Sequence, residues 1–336
     1  MHLRKTVIEG RMSSELRRQL RDEPWPLPGI SGATPHHAQL AEATGFRLFF
    51  LSGSQAAAHI MGMPDAGLMS LGEVVDNLRR ICRAVTIPVI ADCETGFGNV
   101  VNVTRAVHDF IDAGVAGFFL EDQVFPKRCG YTKGVEVVPI PDAVAKYRAA
   151  CDARDALDPD VVVLARTDSR AAVGGGLDEV LRRCEAYLCT EVDILMIMAL
   201  QSREEIRRVR EAFPHAAMYI NASAVRPALT RDEYRDFGVA TYNISISKVA
   251  QIMMHDFLLD CRRRGADALN DFMASVEGHP DGEFSYLELT GFPAVVEIER
   301  RYLGEAALGK YGSSIGTYDP RAADAAAPNN DQDLEA

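Results

Sequence analysis

Eight short apolar runs, rich in β-branched and aromatic residues, divide this chain at intervals, and that rhythm constrains its fold more than any other feature. They lie at 27–31, 46–52, 87–93, 115–121, 161–167, 194–199, 218–222 and 241–245. The strong ones are continuous rather than alternating, as in FFLS or VVVLA. Strands buried on both faces of a parallel sheet read this way. Helical patterns lie between them, over 71–84, 101–113, 140–156, 177–188, 203–213 and 231–237. Eight such β–α units predict an α/β fold, a closed (β/α)8 TIM-type barrel. The alternative is an open doubly wound sheet, but no Gly-x-Gly-x-x-Gly follows the first run.

The rest of the chain is divided around that barrel. Residues 1–25 carry a lead-in helix at 6–22, residues 26–250 the barrel, 251–317 a helical extension, and 318–336 an Ala/Asp/Asn/Pro-rich tail expected to be disordered. The helices expected at 247–264, 266–274 and 286–302 exceed what a barrel needs. Their apolar stripes must be buried somewhere, and a neighbouring subunit is one place.

Composition excludes several classes. An apolar fraction of 47% is enough to fill a core. No apolar run reaches the ~18 residues of a membrane span, and the charged N-terminus lacks a signal peptide's apolar stretch. Thirty-six basic against 48 acidic residues, net −12, argue against a general nucleic-acid binder. The cysteines number seven, an odd count, with no Cys-x-x-Cys. A reduced, cytoplasmic protein without zinc knuckle or disulfide framework is expected.

Barrel enzymes place their chemistry at the C-terminal strand ends. There stand Ser52-Gly53-Ser54, then Asp92-Cys93-Glu94, then Glu121-Asp122, then Arg166-Thr167-Asp168, then Asn221 and Ser223. Asp92 and Glu94 are two apart, so in a strand both face one way. With Glu121 they make three carboxylates around one point, which repel unless a cation lies between them. Oxygen ligands without His or Cys suit Mg²⁺, or Mn²⁺, largely through water. Ser52, Gly53 and Ser54 offer hydroxyls and N–H groups to an anion, and Arg166 a bidentate carboxylate contact. A di- or tricarboxylate ligand follows. Gly174-Gly175-Gly176 lacks the Lys-Ser/Thr of a phosphate loop and reads as a flexible entry to the next helix.

The fourth βα connection, FPKRCGYTKGVEVV over 125–138, is long, basic and glycine-punctuated like a lid. Cys129 sits at its centre, where Lys127, Arg128 and Lys133 are expected to lower its pKa. Such a thiol can act as acid or base.

These motifs resemble the isocitrate lyase / phosphoenolpyruvate mutase superfamily, above all its methylisocitrate and 2,3-dimethylmalate lyases. The resemblance covers roughly 28–302 and rests on Leu51-Ser52-Gly53, on Asp92 to Gly98, on Glu121-Asp122-Gln123 with Lys127-Arg128-Cys129-Gly130, and on Ala165-Arg166-Thr167-Asp168. It implies a homotetramer of dimers that exchange C-terminal helices. It implies Mg²⁺ at Asp92, Glu94 and Glu121 with Asp65 in the outer shell. Substrate would be bound by Ser52, Gly53, Ser54, Gly130, Tyr131, Arg166, Asn221 and Ser223. Catalysis would fall to Cys129, Arg166, Lys127 and Arg128. The reaction implied is a retro-aldol C–C cleavage of a 2-hydroxy di- or tricarboxylate, with Cys129 as the proton carrier.

Several positions depart from the family pattern. Tyr131 stands where the lyase loop usually has His, Met198 where a Glu is common, Ala224 where another Glu follows Asn-x-Ser, and Glu94 where Asp is commoner. Lost charges point to a less polar substituent on the substrate. The alternatives are an oxaloacetate hydrolase or decarboxylase of the same superfamily, a phosphonate P–C mutase, whose Thr-Asn-Ser loop this chain lacks, and a non-catalytic ligand-binding barrel.

Overall fold

A computed structural model of the chain describes residues 11–221, 223–279 and 285–311. Eight strands appear: β1 (Leu27–Gly32), β2 (Phe49–Leu51), β3 (Val89–Asp92), β4 (Gly117–Glu121), β5 (Val162–Thr167), β6 (Ile194–Ile197), β7 (Met218–Ile220) and β8 (Thr241–Ser245). All pairings are parallel, from β7 through β1 to β8. A parallel bridge between Met218 and Val239 spans the gap from β7 towards β8. The result is a nearly closed TIM-type barrel.

Strand periodicity sorts the side chains into two cores. Val163 and Ala165 of β5 point outward, into the layer shared with the helices, along with Phe118, Leu120 and Ala91. Val162 and Leu164 point into the barrel with Phe50, Ile90, Phe119, Met196 and Tyr219. Continuing the inward parity past the last apolar residue brings Ser52, Asp92, Glu121, Arg166 and Met198 to the top of the barrel. At the bottom, Leu16 of α1 (Met12–Asp22) joins the interior core. Residues 6–10 of the expected lead-in helix lie outside the described residues.

Helices alternate with the strands: α2 (Pro35–Ala43), α3 (Gly53–Ala56) continued by a π-turn (Ala57–Met61), α4 (Leu71–Ala84), α5 (Val100–Ala113), α6 (Ile140–Leu157), α7 (Leu177–Leu188), α8 (Arg203–Ala212) and α9 (Arg231–Asp236). Their starts follow local rules; Ser70 and Glu73, for instance, form a reciprocal capping box on α4. Gly176 is the N-cap of α7, which makes the glycine triplet a helix entry. The sequence reading missed α2 and α3. Proline and two histidines open the first, and the second follows the expected anion loop without a polar–apolar rhythm.

The chain divides into two compact units, one ending at Leu259 and the other beginning at Asp260. Within the second, the single helix expected at 286–302 is two, α12 (Ser285–Leu289) and α13 (Phe292–Leu303). Gly291, at φ 101°, breaks them. α11 (Ala266–Ser275) precedes them, and a 3-10 turn (Glu305–Tyr311) follows. α10 (Ile246–Arg264) leaves Val249, Ile252, Met253, Met254 and Leu258 exposed. The expected tail at 318–336 lies outside the described residues. No helix among the described residues is long and apolar enough to cross a membrane.

Candidate active site

A cavity of about 430 Å³ opens at the C-terminal end of the strands. Its floor is the inward-facing layer: Ser31, Phe50, Ser52, Asp92, Phe119, Arg166, Met196, Met198, Tyr219, Asn221, Asn243 and Ser245, one or two from each strand. The lid contributes Cys129, Gly130 and Tyr131, and Asp65, Ser54, Gln55, Ser223 and Lys248 complete the rim.

Asp92 ends β3, and its carboxylate turns back on the chain, accepting from the Glu94 amide at 2.9 Å and the Gly53 amide at 3.0 Å. The Gly53 N–H expected to serve a ligand is therefore already engaged. Glu94 is not in the strand, as the two-residue spacing implied, but in the turn after it at φ 52°. The two carboxylates still converge, because Gly53 has no side chain. A Cβ there would lie 2.5 Å from Glu94 Oε1 and 2.7 Å from Asp92 Oδ2. Burial, and repulsion by Asp92, push Glu94 up to about 7.

Glu121 is 1% exposed and stands opposite Arg166 in the β4–β5 register. The Arg166 Nη1 lies 3.0 Å from Glu121 Oε2. Its Nε and Nη2 donate to the two Asp168 oxygens at 2.8 and 3.0 Å. The bidentate contact expected for a substrate carboxylate is thus made within the protein. Burial raises the Glu121 pKa, against the pull of Arg166 and Lys127. Glu121 Oε1 has no hydrogen-bond partner.

Lys127 is engaged by carboxylates. Its Nζ pairs with Asp65 Oδ1 and lies 2.9 Å from Glu94 Oε2. Burial opposes the ammonium, but Asp92, Glu121, Glu94 and Asp65 outweigh it and raise its pKa. Arg128 and Lys133 are exposed. The Cys129 thiol is not lowered as expected, because burial outweighs the pull of Lys127 and Arg166. Half-burial raises its pKa, partly offset by the Tyr131 amide. Lid closure rests on the Cys129 amide donating to the Asp65 carbonyl at 3.0 Å, and the Arg128 amide to Gln123 Oε1 at 2.9 Å. Gly130 packs so closely on strand five that a Cβ would meet Asp168 Oδ1 at 2.8 Å.

Tyr131, 68% exposed at the lid tip, accepts at its hydroxyl from Asn221 Nδ2 at 2.7 Å. Asn221 also accepts from the Ser223 hydroxyl at 2.8 Å. Met198 lines the cavity, whereas Ala224 is exposed and does not. Lys248 on the first turn of α10, with Gln55, Ser31 and Asn243, was not anticipated. Gln55 donates to Ser31 at 2.9 Å, and Ser31 to Asn243 at 3.3 Å. For Ser31 and Asn243 the signal was the inward parity of β1 and β8, which the weak apolar character of β1 obscured.

The donor set suits a hard divalent cation: Asp92, Glu94 and Glu121 are buried carboxylates, and one Glu121 oxygen is unpartnered. Among the described residues, however, no three acidic, His or Cys side chains converge closely enough to ligate one ion directly. The expectation of three carboxylates around one point is corrected to this extent. An ion here would be bound largely through water, as Mg²⁺ commonly is.

Comparison with known proteins places this geometry. The family model for phosphoenolpyruvate phosphomutase matches residues 35–260. The 2,3-dimethylmalate lyase of Eubacterium barkeri is 39% identical over 216 residues, 64% of this chain and 72% of that protein. The structure of an oxaloacetate acetylhydrolase bound to 3,3-difluorooxalacetate aligns with TM-score 0.78 at 25% identity, covering 89% of this chain and all of the other. That of a phosphonopyruvate hydrolase complexed with oxalate and Mg²⁺ aligns with TM-score 0.75 at 28% identity, covering 88% and 100%. The chain belongs to the phosphoenolpyruvate mutase/isocitrate lyase superfamily of enzymes.

Proposed function

We propose that this enzyme is a Mg²⁺-dependent carbon–carbon lyase that cleaves a 2-hydroxy di- or tricarboxylate to a 2-oxo acid and a second carboxylate. The observation that carries the reading is the meeting of a lid thiol, Cys129, with the Asp92 and Asp65 carboxylates and an apolar wall in one cavity at the strand ends. Asp92, Glu94 and Glu121 would hold the cation, with Asp65 outside them. When bound, Mg²⁺ supplies Lewis-acid stabilisation of negative charge on a substrate oxygen.

The protein's own groups do the rest. Ser52 and Ser54 offer hydroxyls to the substrate. Lys248, Asn221 and Ser223 are placed to take a distal carboxylate, since Arg166 is held by Asp168 and Glu121. Arg166 instead fixes the position of Glu121. Phe50, Phe119, Met196 and Met198 face the substituent on the reacting carbons and favour an apolar one. A carboxylate lining the cavity, Asp65 or Asp92, takes the substrate's hydroxyl proton as that carbon becomes the carbonyl of the 2-oxo acid, and the C–C bond breaks with its electron pair on the departing carboxylate fragment. Cys129, kept protonated by its raised pKa, delivers its proton to that carbon and is left as thiolate. In the condensation direction the thiolate removes it. Lid closure excludes water that would otherwise protonate the carbanion first.

A homotetramer would cover the exposed apolar residues of α10. The likeness to an oxaloacetate acetylhydrolase structure supports one second reading, hydrolysis of oxaloacetate. A panel of 2-hydroxy- and 2-oxo-dicarboxylates decides between them. The lyase releases pyruvate or glyoxylate; oxalate plus acetate overturns it in favour of hydrolysis. EDTA should abolish turnover and Mg²⁺ restore it, and activity surviving thorough chelation refutes the metal assignment.

A further inference from the structure

Lys127 is the lid cation that goes inside. It is 2% exposed although it belongs to a mobile class of element, a long glycine-punctuated βα connection. Its ammonium is paired with Asp65 and Glu94, and Asp92 and Glu121 add to the field it feels. The remaining lid contacts described above are uncharged amide hydrogen bonds. One lid side chain therefore makes both ion pairs that join the lid to the acidic cluster, and it uses carboxylates that would also neutralise a divalent cation.

Two cations sharing one cluster repel each other, the more strongly because the cluster is buried. We propose that Lys127 is a positioning residue that latches the lid as an internal counter-ion, so that lid latching and divalent-cation binding oppose one another. The second half of this rests on the metal assignment above. With the cation absent, the ammonium takes over part of its charge compensation and holds Cys129 over the cavity. With the cation present, the latch is weakened and the lid is freer to open for exchange of ligands.

The full-length protein and its Lys127→Met variant test this without any substrate. Two readouts serve: iodoacetamide alkylation of Cys129, followed by peptide mapping with exposed Cys189 as reagent control, and Mn²⁺ affinity by electron paramagnetic resonance. In chelator, Lys127→Met should alkylate at Cys129 faster by about fivefold or more, because opening exposes the thiol. Losing a nearby positive charge would by itself slow the thiol, so acceleration reports opening. The variant should bind Mn²⁺ tighter by about tenfold. Unchanged Cys129 alkylation overturns the latch, and unchanged or weaker Mn²⁺ binding overturns the opposition. Should the variant not fold, the natural protein alone decides: Mn²⁺ is expected to speed Cys129 alkylation, and no change or a slowing overturns the proposal. If neither protein binds Mn²⁺, the metal assignment and the opposition fall together, and alkylation in chelator still judges the latch.

Discussion

Cys129 shows how burial can outweigh the pull of a neighbouring cation. Lys127 is two positions away, yet its ammonium is spent on Asp65 and Glu94. A thiol above its ordinary pKa is a poor standing nucleophile and a suitable proton donor at neutral pH. Cys129→Ser should lower turnover by at least ~10²-fold, since a serine hydroxyl is a far weaker acid. Steady-state kinetics on the substrate found by screening would check this, and near-normal kcat would remove Cys129 from the proton-transfer step. Glu94 carries a pH prediction. Its folded pKa of about 7 lies above the ordinary value of 4.5, so between those pH values the folded state holds a proton the unfolded state has lost. Stability in chelator should therefore fall as pH rises from about 4.5 to 7. Thermal melts across that range, with and without Mg²⁺, measure it. The stabilisation by Mg²⁺ should be larger at the upper end, where the cluster is ionised.

At the scale of elements, Asp122 ties three pieces of the barrel together. Its oxygens accept from the Thr167 hydroxyl at 2.7 Å, the Asp168 amide at 3.0 Å, the Tyr187 hydroxyl at 2.7 Å and Arg183 Nη1 at 3.2 Å. Arg183 also donates to the Val138 carbonyl at 2.8 Å, where the lid rejoins the barrel. The network thus links β4, β5, α7 and the lid's far root, and it holds the Asp168 backbone whose side chain grips Arg166. Asp122 is 1% exposed and Arg183 4%. Asp122→Ala leaves Arg183 with Glu179 as its remaining ion-pair partner and strips the buried Thr167 and Tyr187 hydroxyls of their acceptor, and should cost about 1–3 kcal/mol. Chemical denaturation reads this directly, and a loss under ~1 kcal/mol would mean the pair is not coupled. The sequence placed Asp122 beside Glu121 but gave no sign of its partners, which come from strands and helices 45 to 65 positions away.

For the whole molecule, the apolar residues of α10 set the expectation. Val249, Ile252, Met253, Met254 and Leu258 share neither the barrel's interior nor its helix layer. A face of this kind is characteristic of a subunit interface. Sedimentation velocity at micromolar concentration should give a tetramer, and replacing Ile252 and Met253 with Asp should shift it toward smaller species. A monomer for the natural protein would leave the exposed face unexplained.

Eight apolar runs were enough to specify the barrel, because strands buried on both faces must be continuously apolar and must be separated by helices to lie parallel. They also placed the inward residues at the strand tops, Asp92, Glu121 and Arg166, since strand parity carries past the last apolar residue. Local spacing failed where the backbone left the strand. Glu94 reaches the site through a left-handed turn and the gap left by Gly53. Who neutralises whom was also beyond the sequence. Arg166 is held by Asp168 and Glu121 instead of waiting for substrate, Lys127 serves the carboxylates instead of the thiol, and Lys248 is left facing the cavity. Charge pairing depends on distances of about 3 Å and on burial, and both are set only when distant strands close into one barrel.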